Sequence, residues 1–459
     1  MDSPLGQRAF IAPVPTAEVL QAAVDAFTAA PGPLRLHCGV QHYSWGDADF
    51  IPALIDFRNP GRLPFAELWI GAHPDLLSTV RLDGWHLSLA ELIAAAPRTL
   101  LGAATARHFG NQLPFLLKVL AAREPLSIQV HPSREQALAG YRHEDAIGLA
   151  LSDPRRSYRD CNHKPELLVA LTDFYALRGF RPLAEIGAQL AALPELDALA
   201  RRFEPSAGGL SRLYRWLMEL EQGQVDALLS PVIARFRQAR ARAPFDPSDR
   251  RDWIIEADRL FSTHAHRDRG LFSLLLLNLI ALHPGEALFL PAGELHAYLR
   301  GAAIEVMANS NNVLRGGLTR KHIDVAALLR TLRVAPATSA VRQPQPGAAP
   351  SEPETYPTPA AEFLLERHRL GAGEWRLVNP GLSESAQLRL GLVLDGQISV
   401  HSPGQAPLGL ERGATFVIPA VCRAAIHGAQ RSLVFTARVP DPTGMHARPN
   451  PPVRLAAPG

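Results

Sequence analysis

The 459-residue chain has few cysteines and no strong excess of either charge. Its three cysteines, Cys38, Cys161 and Cys422, are widely spaced. This excludes a disulfide framework and a cysteine-based zinc site, and it favours a reducing, cytoplasmic compartment. The net charge is only +3, and the acidic and basic residues are interspersed. Nucleic acid is therefore not expected as a partner.

Long apolar runs are also missing. The longest, Leu271 to Leu282, is interrupted by Ser273 and Asn278, and the N-terminus lacks the basic start and apolar core of a signal peptide. We therefore expect neither a membrane span nor secretion. With 47% hydrophobic residues, the chain can build the cores of roughly two to four domains.

Lysine is rare in this sequence. Only Lys118, Lys164 and Lys321 occur, so 44 of the 47 basic residues are arginine. Lysine has a compact amine that can lose its proton, whereas the guanidinium group of arginine stays charged. Each lysine is therefore a candidate functional residue, although chance is an equal alternative for any one of them.

The spacing of apolar residues divides the chain into segments. Short β-like runs separated by glycine and proline fill residues 34–181, and apolar residues at helical spacing follow over 182–274. A strand-like pattern resumes over 275–335 and ends near a helix beginning about Asp324. After a connector rich in proline and alanine, the strand-like pattern returns over 361–440. One more helix is predicted from Thr16 to Ala29. The fold class is therefore mainly β with an α insertion.

One spaced pattern of glycine and proline occurs twice. It covers Gly285, Pro291 and His296, and again Gly413, Pro419 and Ala424. The pattern resembles the second motif of cupin jelly rolls, whose last position holds a metal-binding histidine. We therefore predict two cupin jelly-roll domains: a discontinuous metal-binding one over 34–181 and 275–335, and a degenerate one over 361–440 without metal ligands. An all-helical domain over 182–274 interrupts the first.

Three strand-like segments concentrate potential metal ligands. Gln129 and His131 are two residues apart in LSIQVHP, Glu166 begins ELLVAL, and His296 begins a strand in PAGELHAY. Each histidine alone is more simply explained as a core or turn residue. Together, two histidines, a carboxylate and an amide oxygen suit one Zn²⁺ per chain, with a position left for water or substrate.

The sequence resembles a known family over about residues 34–335. Seven segments occur in the order typical of type I mannose-6-phosphate isomerases: QHYSWG, AELWIGAHP, PFLLKVL, LSIQVHP, YRDCNHKPE, GEALFLPAGELHAYL and NNVLRGGLTRK. YxDxNHKPE is the signature of that family, whereas His42 replaces a more usual asparagine. The resemblance implies zinc bound by Gln129, His131, Glu166 and His296. It also implies that Arg315 lies in the active site and that mannose 6-phosphate and fructose 6-phosphate interconvert through a cis-enediol.

This reaction requires a base that moves a proton between two carbon atoms. Glu305, Lys164 and His131 are candidates, and the sequence does not choose among them. We favour Glu305 because its apolar neighbours in AAIEVMA would raise its basicity. An equal alternative is that Glu305 is a structural carboxylate paired with an arginine and does not act as the base.

The substrate phosphate requires cations. Arg315, followed by two glycines, and Lys321 fit this role. Asn309 to Asn312 are expected to form a turn that helps to order the Arg315 loop. Further substrate contacts are expected from Lys118, Ser127, Tyr298 and Trp45.

Other functions stay open at this point. A non-catalytic sugar-binding cupin, a cupin oxygenase or epimerase, and an isomerase of unphosphorylated mannose or a related aldose share the scaffold. A bifunctional isomerase and guanylyltransferase is excluded, because no N-terminal glycine-rich nucleotide-binding segment occurs. We expect a monomer whose partner is a small sugar phosphate.

Overall fold

The computed structural model describes residues 16–263, 265–337, 341–349, 351–381 and 386–440. Within these ranges the strands, β1 to β22 in chain order, are Leu34–Leu36, Gly39–Gln41, Glu67–Ile70, Thr79–Leu82, Trp85–Ser88, Phe115–Ala122, Ile128–Val130, Glu166–Ala170, Phe174–Phe180, Leu277–Leu282, Ala287–Leu290, His296–Ala308, Leu314–Gly317, Glu354–Tyr356, Leu364–Leu370, Trp375–Pro380, Arg389–Asp395, Gln397–His401, Leu408–Glu411, Thr415–Ile418, Arg423–Gly428 and Ser432–Arg438.

Helices occur before the first strand and between later strands. Over the same ranges the α-helices, α1 to α13 in chain order, are Ala17–Ala29, Phe50–Leu54, Leu89–Ala95, Pro97–Leu101, Ala103–His108, Arg134–Ala146, Leu183–Ala191, Asp197–Arg202, Ala207–Glu219, Gln222–Arg242, Arg250–Phe261, Leu271–Leu276 and Val325–Thr331. A 3₁₀ turn at Pro194–Leu196 joins α7 to α8. No described helix is both long enough and apolar enough to cross a bilayer.

The strand β12 is the centre of the largest sheet. It pairs antiparallel with β6, β7, β8 and β9, so four segments far apart in sequence meet along one strand. From Ala302 to Ala308 every residue is buried, as expected for a strand covered on both faces. Glu305 is the one ionisable side chain in that run. A buried charge at such a position needs partners.

The helices α7 to α12 share a core with one edge of this sheet. In α9 the buried residues Leu210, Leu213, Tyr214 and Leu217 follow the three-to-four spacing of an amphipathic helix. They belong to one cluster with Ile128 of β7 and other sheet residues. The helices therefore pack against the strand that bears Gln129.

Two further sheets face each other in the C-terminal third. One has the order β1-β20-β17-β22-β15-β14 and the other β16-β21-β18-β19, with apolar side chains packed between them. The strand β1 belongs here, because Leu34, Arg35 and Leu36 pair with Val417, Phe416 and Thr415. The first strand of the predicted catalytic segment is thus hydrogen-bonded to the C-terminal sheet.

Several local predictions agree with these elements. Thr16 caps α1 through its side chain, and Asp324 caps α13 in the same way. In the repeated pattern, Gly285 and Gly413 have φ values of +93° and +80°, which favour glycine. His296 begins β12, whereas Ala424 is completely buried in β21. The connector over 336–360 includes the short strand β14.

Candidate functional site

Three of the predicted ligands form one buried cluster. The carboxylate oxygens of Glu166 lie 3.3 Å from His131 Nε2 and 3.4 Å from His296 Nε2. One ligand atom from each residue lies within 4.8 Å of the other two, as required for a shared metal ion. All three side chains are buried. The cluster therefore has the composition and compactness of a metal site.

Strand pairing brings these residues together. His296, the first residue of β12, lies opposite Gln129 of β7, and Glu166, the first residue of β8, lies opposite Met307 of β12. Residues directly opposite in antiparallel strands project to the same face. His131 directly follows β7. The three segments thus reach one point although 167 residues separate the first ligand from the last.

Both histidines are oriented by backbone carbonyl groups. His131 Nδ1 lies 2.8 Å from the carbonyl oxygen of Asn312, and His296 Nδ1 lies 3.0 Å from that of Glu294. A carbonyl only accepts, so each Nδ1 carries the proton and each Nε2 presents a lone pair to the cluster. His131 Nε2 is buried without a hydrogen bond of acceptable geometry among the described residues. A metal ion would satisfy this nitrogen.

The electrostatics of the cluster favour metal binding. Burial lowers the pKa of His131 to about 4, so the ring is neutral near pH 7. Burial alone would raise the pKa of Glu166, but Lys164, whose Nζ is 2.9 Å from Oε1, together with His131 and His296 outweighs burial and holds that pKa well below its usual range. Neutral imidazole and ionised carboxylate are the forms that bind a metal ion.

A small polar pocket adjoins the cluster. Eight predicted site residues line it: Lys118, Ser127, Gln129, Lys164, Glu166, His296, Tyr298 and Glu305. Gln129 donates from Nε2 to Ser127 Oγ at 3.2 Å, which leaves its amide oxygen available as an acceptor or ligand. The pocket and the cluster therefore form one site.

A buried charge network covers one wall of this pocket. Lys118 Nζ lies 3.3 Å from Glu305 and 3.5 Å from Glu67, and Tyr298 donates to Glu305 Oε1 at 2.8 Å. Burial, with help from Glu166 and Glu67, raises the pKa of Glu305 although Lys118 opposes the change. When Glu166 and its partner Lys164 are included, the network contains three carboxylates and two ammonium groups. The excess negative charge is what a divalent cation would balance.

Four predicted residues do not line the pocket. His131 lies behind Glu166, and Trp45 stacks on Tyr43 with ring centroids 5.7 Å apart. Arg315 is opposite Gln129 across β13 and β7, so its side chain leaves the sheet on the same face as the ligands. Lys321 is exposed, four residues after the end of β13.

Sequence reasoning missed Glu67 and misjudged Asn312. Glu67 is the only charged residue in the segment AELWIGAHP, and this isolated charge could have marked it. Its Oε2 also accepts from Trp69 Nε1 at 2.7 Å. Asn312, expected in a turn, is completely buried. Its side chain contacts the backbone of Asp160, and its carbonyl orients His131. Asn312 therefore helps to fix the orientation of the proposed ligand His131.

The chain is similar to known proteins of one family. The family model described as "Phosphomannose isomerase type I, catalytic domain" matches residues 34–183. The mannose-6-phosphate isomerase of Escherichia coli K12 is 40% identical over 345 residues, covering 74% of this chain and 84% of that protein. The human enzyme of the same name is 32% identical over 426 residues, covering 85% and 94%.

The fold is also similar to that of solved structures. Mannose 6-phosphate isomerase from Salmonella typhimurium, bound to fructose 6-phosphate and zinc, is 33% identical with a TM-score of 0.77. The similarity covers 88% of this chain and 99% of that one. The relatives match over most of their length. This chain therefore belongs to the type I mannose-6-phosphate isomerase, or phosphomannose isomerase, family.

Proposed function

We propose that the chain is a zinc-dependent isomerase that interconverts mannose 6-phosphate and fructose 6-phosphate. The supporting observation is the buried His131, Glu166 and His296 cluster, placed beside the Lys118 and Glu305 pair in one polar pocket. An alternative without turnover, a sugar-binding cupin, does not need a buried acid with a raised pKa beside the ligands.

Gln129, His131, Glu166 and His296 would hold the zinc ion. Their oxygen and nitrogen donors suit zinc, and the orphaned His131 Nε2 points into the cluster. When bound, zinc supplies Lewis-acid stabilisation of negative charge on the sugar oxygens. Lys164 keeps Glu166 ionised, so it supports the ligand set as well as lining the pocket.

We assign the proton transfer to Glu305. His131 donates from Nδ1 to the Asn312 carbonyl and would bind zinc through Nε2, and Lys164 is engaged by Glu166 at 2.9 Å. Glu305 is buried in the pocket wall with a raised pKa, which suits a group that takes a proton from one sugar carbon and returns it to the next. Lys118 stabilises its ionised form, and the Tyr298 hydroxyl orients it. The path through a cis-enediol is part of this proposal.

We assign the phosphate to Arg315 and Lys321. Arg315 projects on the ligand face of the sheet, and a guanidinium offers a two-pronged fork to phosphate. Ser127 and Tyr298 complete the sugar-binding wall inside the pocket. Trp45 packs against the apolar cluster that includes Tyr298, so we assign it a supporting role for that wall.

The proposed division of the chain into domains accompanies this function. We infer two jelly rolls, a discontinuous catalytic one over 34–181 and 275–335 and a metal-free one over 361–440, with helices inserted over 182–274. Support comes from the repeated glycine and proline pattern, the two facing C-terminal sheets and the uninterrupted helical run.

All proposed site residues lie in one chain, so we propose a monomer. Size-exclusion chromatography with light scattering would test this oligomeric state.

One assay tests the function. Purified protein is supplied with mannose 6-phosphate, and fructose 6-phosphate is measured before chelation, after chelation and after zinc is added back. We expect activity to disappear and return. Unphosphorylated mannose is the parallel substrate. Turnover of mannose alone would replace the proposal with the aldose alternative. Zinc-loaded protein that binds the sugar phosphate without turnover would favour the sugar-binding alternative.

A further inference from the structure

Three cations that lie close to one another lack a carboxylate partner. Among the described residues, no carboxylate lies within 4.0 Å of Arg159, Arg315 or Lys321, because none of the ion pairs includes them. The arginines that precede Arg159 in the same loop behave differently. Arg155 lies 2.7 Å from Asp153, and Arg156 lies 2.7 Å from Asp145. Among the arginines of this loop, Arg159 is therefore the one without a carboxylate partner.

Asn312 joins the loop of Arg159 to the strand of Arg315. The backbone N–H groups of Arg159 and Asp160 donate to Asn312 Oδ1 at 2.7 and 3.1 Å, and Asn312 returns a bond to the Asp160 carbonyl at 2.8 Å. Asn312 is buried and lies three residues before Arg315. The position of Arg159 relative to Arg315 is thus set by a buried amide.

Asp268 holds the segment that leads to Lys321. Its carboxylate accepts from the N–H groups of Leu318 at 2.8 Å and Thr319 at 3.4 Å, and Thr319 Oγ1 then accepts from the Lys321 N–H at 3.1 Å. Leu318 has a positive φ of +52°, which turns the chain sharply after β13. These bonds bring Lys321 back toward Arg315.

The three cations repel one another. Burial first, and then Arg159, lowers the pKa of Arg315. Partial desolvation lowers the pKa of Lys321, with further contributions from Arg315 and Arg159. Like charges held together without a counter-charge weaken the fold, and an anion bound among them removes the repulsion. A phosphate dianion has the charge and the oxygen acceptors to engage two guanidinium groups and an ammonium.

We propose that Arg159 is the third cation of the substrate phosphate site and that it strengthens the preference for a phosphorylated sugar over an unphosphorylated one. This inference rests on the proposed function. Arg159 is exposed at the loop surface, so it reaches the phosphate from the solvent side, whereas the half-buried Arg315 reaches it from the sheet. Arg159 binds substrate in this assignment and takes no part in the proton transfer.

The test compares Arg159→Ala with Arg155→Ala, a matched exposed arginine that is paired with Asp153. Steady-state kinetics with mannose 6-phosphate should show a KM raised about tenfold in R159A, with kcat changed less than twofold, since one charged phosphate contact is removed. R155A should match the wild type. Inhibition by inorganic phosphate should weaken in R159A by a similar factor.

The possible outcomes separate the inference from the function. An unchanged KM and unchanged phosphate inhibition in R159A would overturn the inference while leaving the isomerase intact. Equal increases in KM for R159A and R155A would also overturn it, because a general effect of surface charge would then explain both. Wild-type protein inactive with zinc would contradict the proposed function instead. Calorimetric titration with inorganic phosphate would then still test Arg159, with loss of binding in R159A supporting the inference.

Discussion

At the scale of single residues, the site is defined by what each buried charge contacts. Glu166 contacts two histidines and Lys164, whereas Glu305 contacts Lys118 and Tyr298. The two carboxylates have opposite pKa shifts in one pocket. Such a pair suits one ligand and one proton carrier. Separate substitution of each carboxylate distinguishes the two roles.

Glu166→Gln should lose zinc and activity together. The amide keeps the shape but removes the charge that attracts the metal ion, and it leaves Lys164 without its partner. We expect zinc per chain, measured by atomic absorption, to fall at least tenfold, with activity falling in parallel. Glu185→Gln, an exposed carboxylate paired with Arg181, is the control. Full zinc occupancy in E166Q would contradict the ligand role.

Glu305→Gln should keep zinc and lose turnover. The variant preserves an acceptor for Tyr298 but has no group that takes the carbon-bound proton. We expect kcat to fall by about 10² to 10⁴, with KM changed little. Exchange of the substrate C2 proton with solvent, followed by NMR, should fall equally. If exchange continued at the wild-type rate, the base would be another residue.

Arg315→Ala should also keep zinc, because Arg315 is not a ligand. We expect kcat/KM for mannose 6-phosphate to fall by about 10², since a partly desolvated phosphate contact is lost. Arg320→Ala, which removes an exposed neighbouring charge, should have a small effect. Wild-type kinetics in R315A would remove Arg315 from the site.

At the scale of elements, β12 and the loop after β13 position the residues of the proposed site. The strand β12 collects β6, β7 and β8, each of which contributes a pocket residue. The sequence predicted these strands and their functional residues from local patterns. It did not predict which strands pair. Glu67 was missed for this reason, because β3 reaches the site only through its pairing with β6.

Asp268→Ala should loosen the loop that carries Lys321. The change removes the acceptor for Gly270, Leu318 and Thr319, and leaves their N–H groups without that partner. We expect a loss of about 1–3 kcal/mol in the free energy of unfolding and a higher KM for the sugar phosphate. Denaturant unfolding and kinetics measure the two effects. Asp268→Asn retains one acceptor oxygen and should recover part of each.

At the scale of the whole molecule, the C-terminal sheets add stability away from the metal cluster. Glu366 of β15 is buried between Arg389 and Arg438 and lies 3.9 Å from His368. Burial alone would raise its pKa, but the two arginines lower it to about 2. The folded state therefore binds this proton less readily than the unfolded state, whose glutamate pKa is about 4.3.

The sign of this shift predicts an acid-sensitive contribution. Stability from Glu366 is complete above about pH 5 and is lost as pH falls toward 2, with a total of about 3 kcal/mol. Urea unfolding of wild type and Glu366→Gln should differ most near pH 6, and the difference should shrink steadily toward pH 3. A difference independent of pH would show that the carboxylate charge is not its cause.

The sequence by itself predicted the proposed ligand set, the helical segment and the repeated pattern, because these predictions depend on residue type and spacing within short segments. Only the tertiary structure decided that Glu67 faces Lys118, that Arg159 approaches Arg315 and Lys321, and that β1 joins the C-terminal sheet. Those contacts link segments separated by tens to hundreds of residues. No local spacing encodes them, since they depend on strand pairing and on the packing of distant elements.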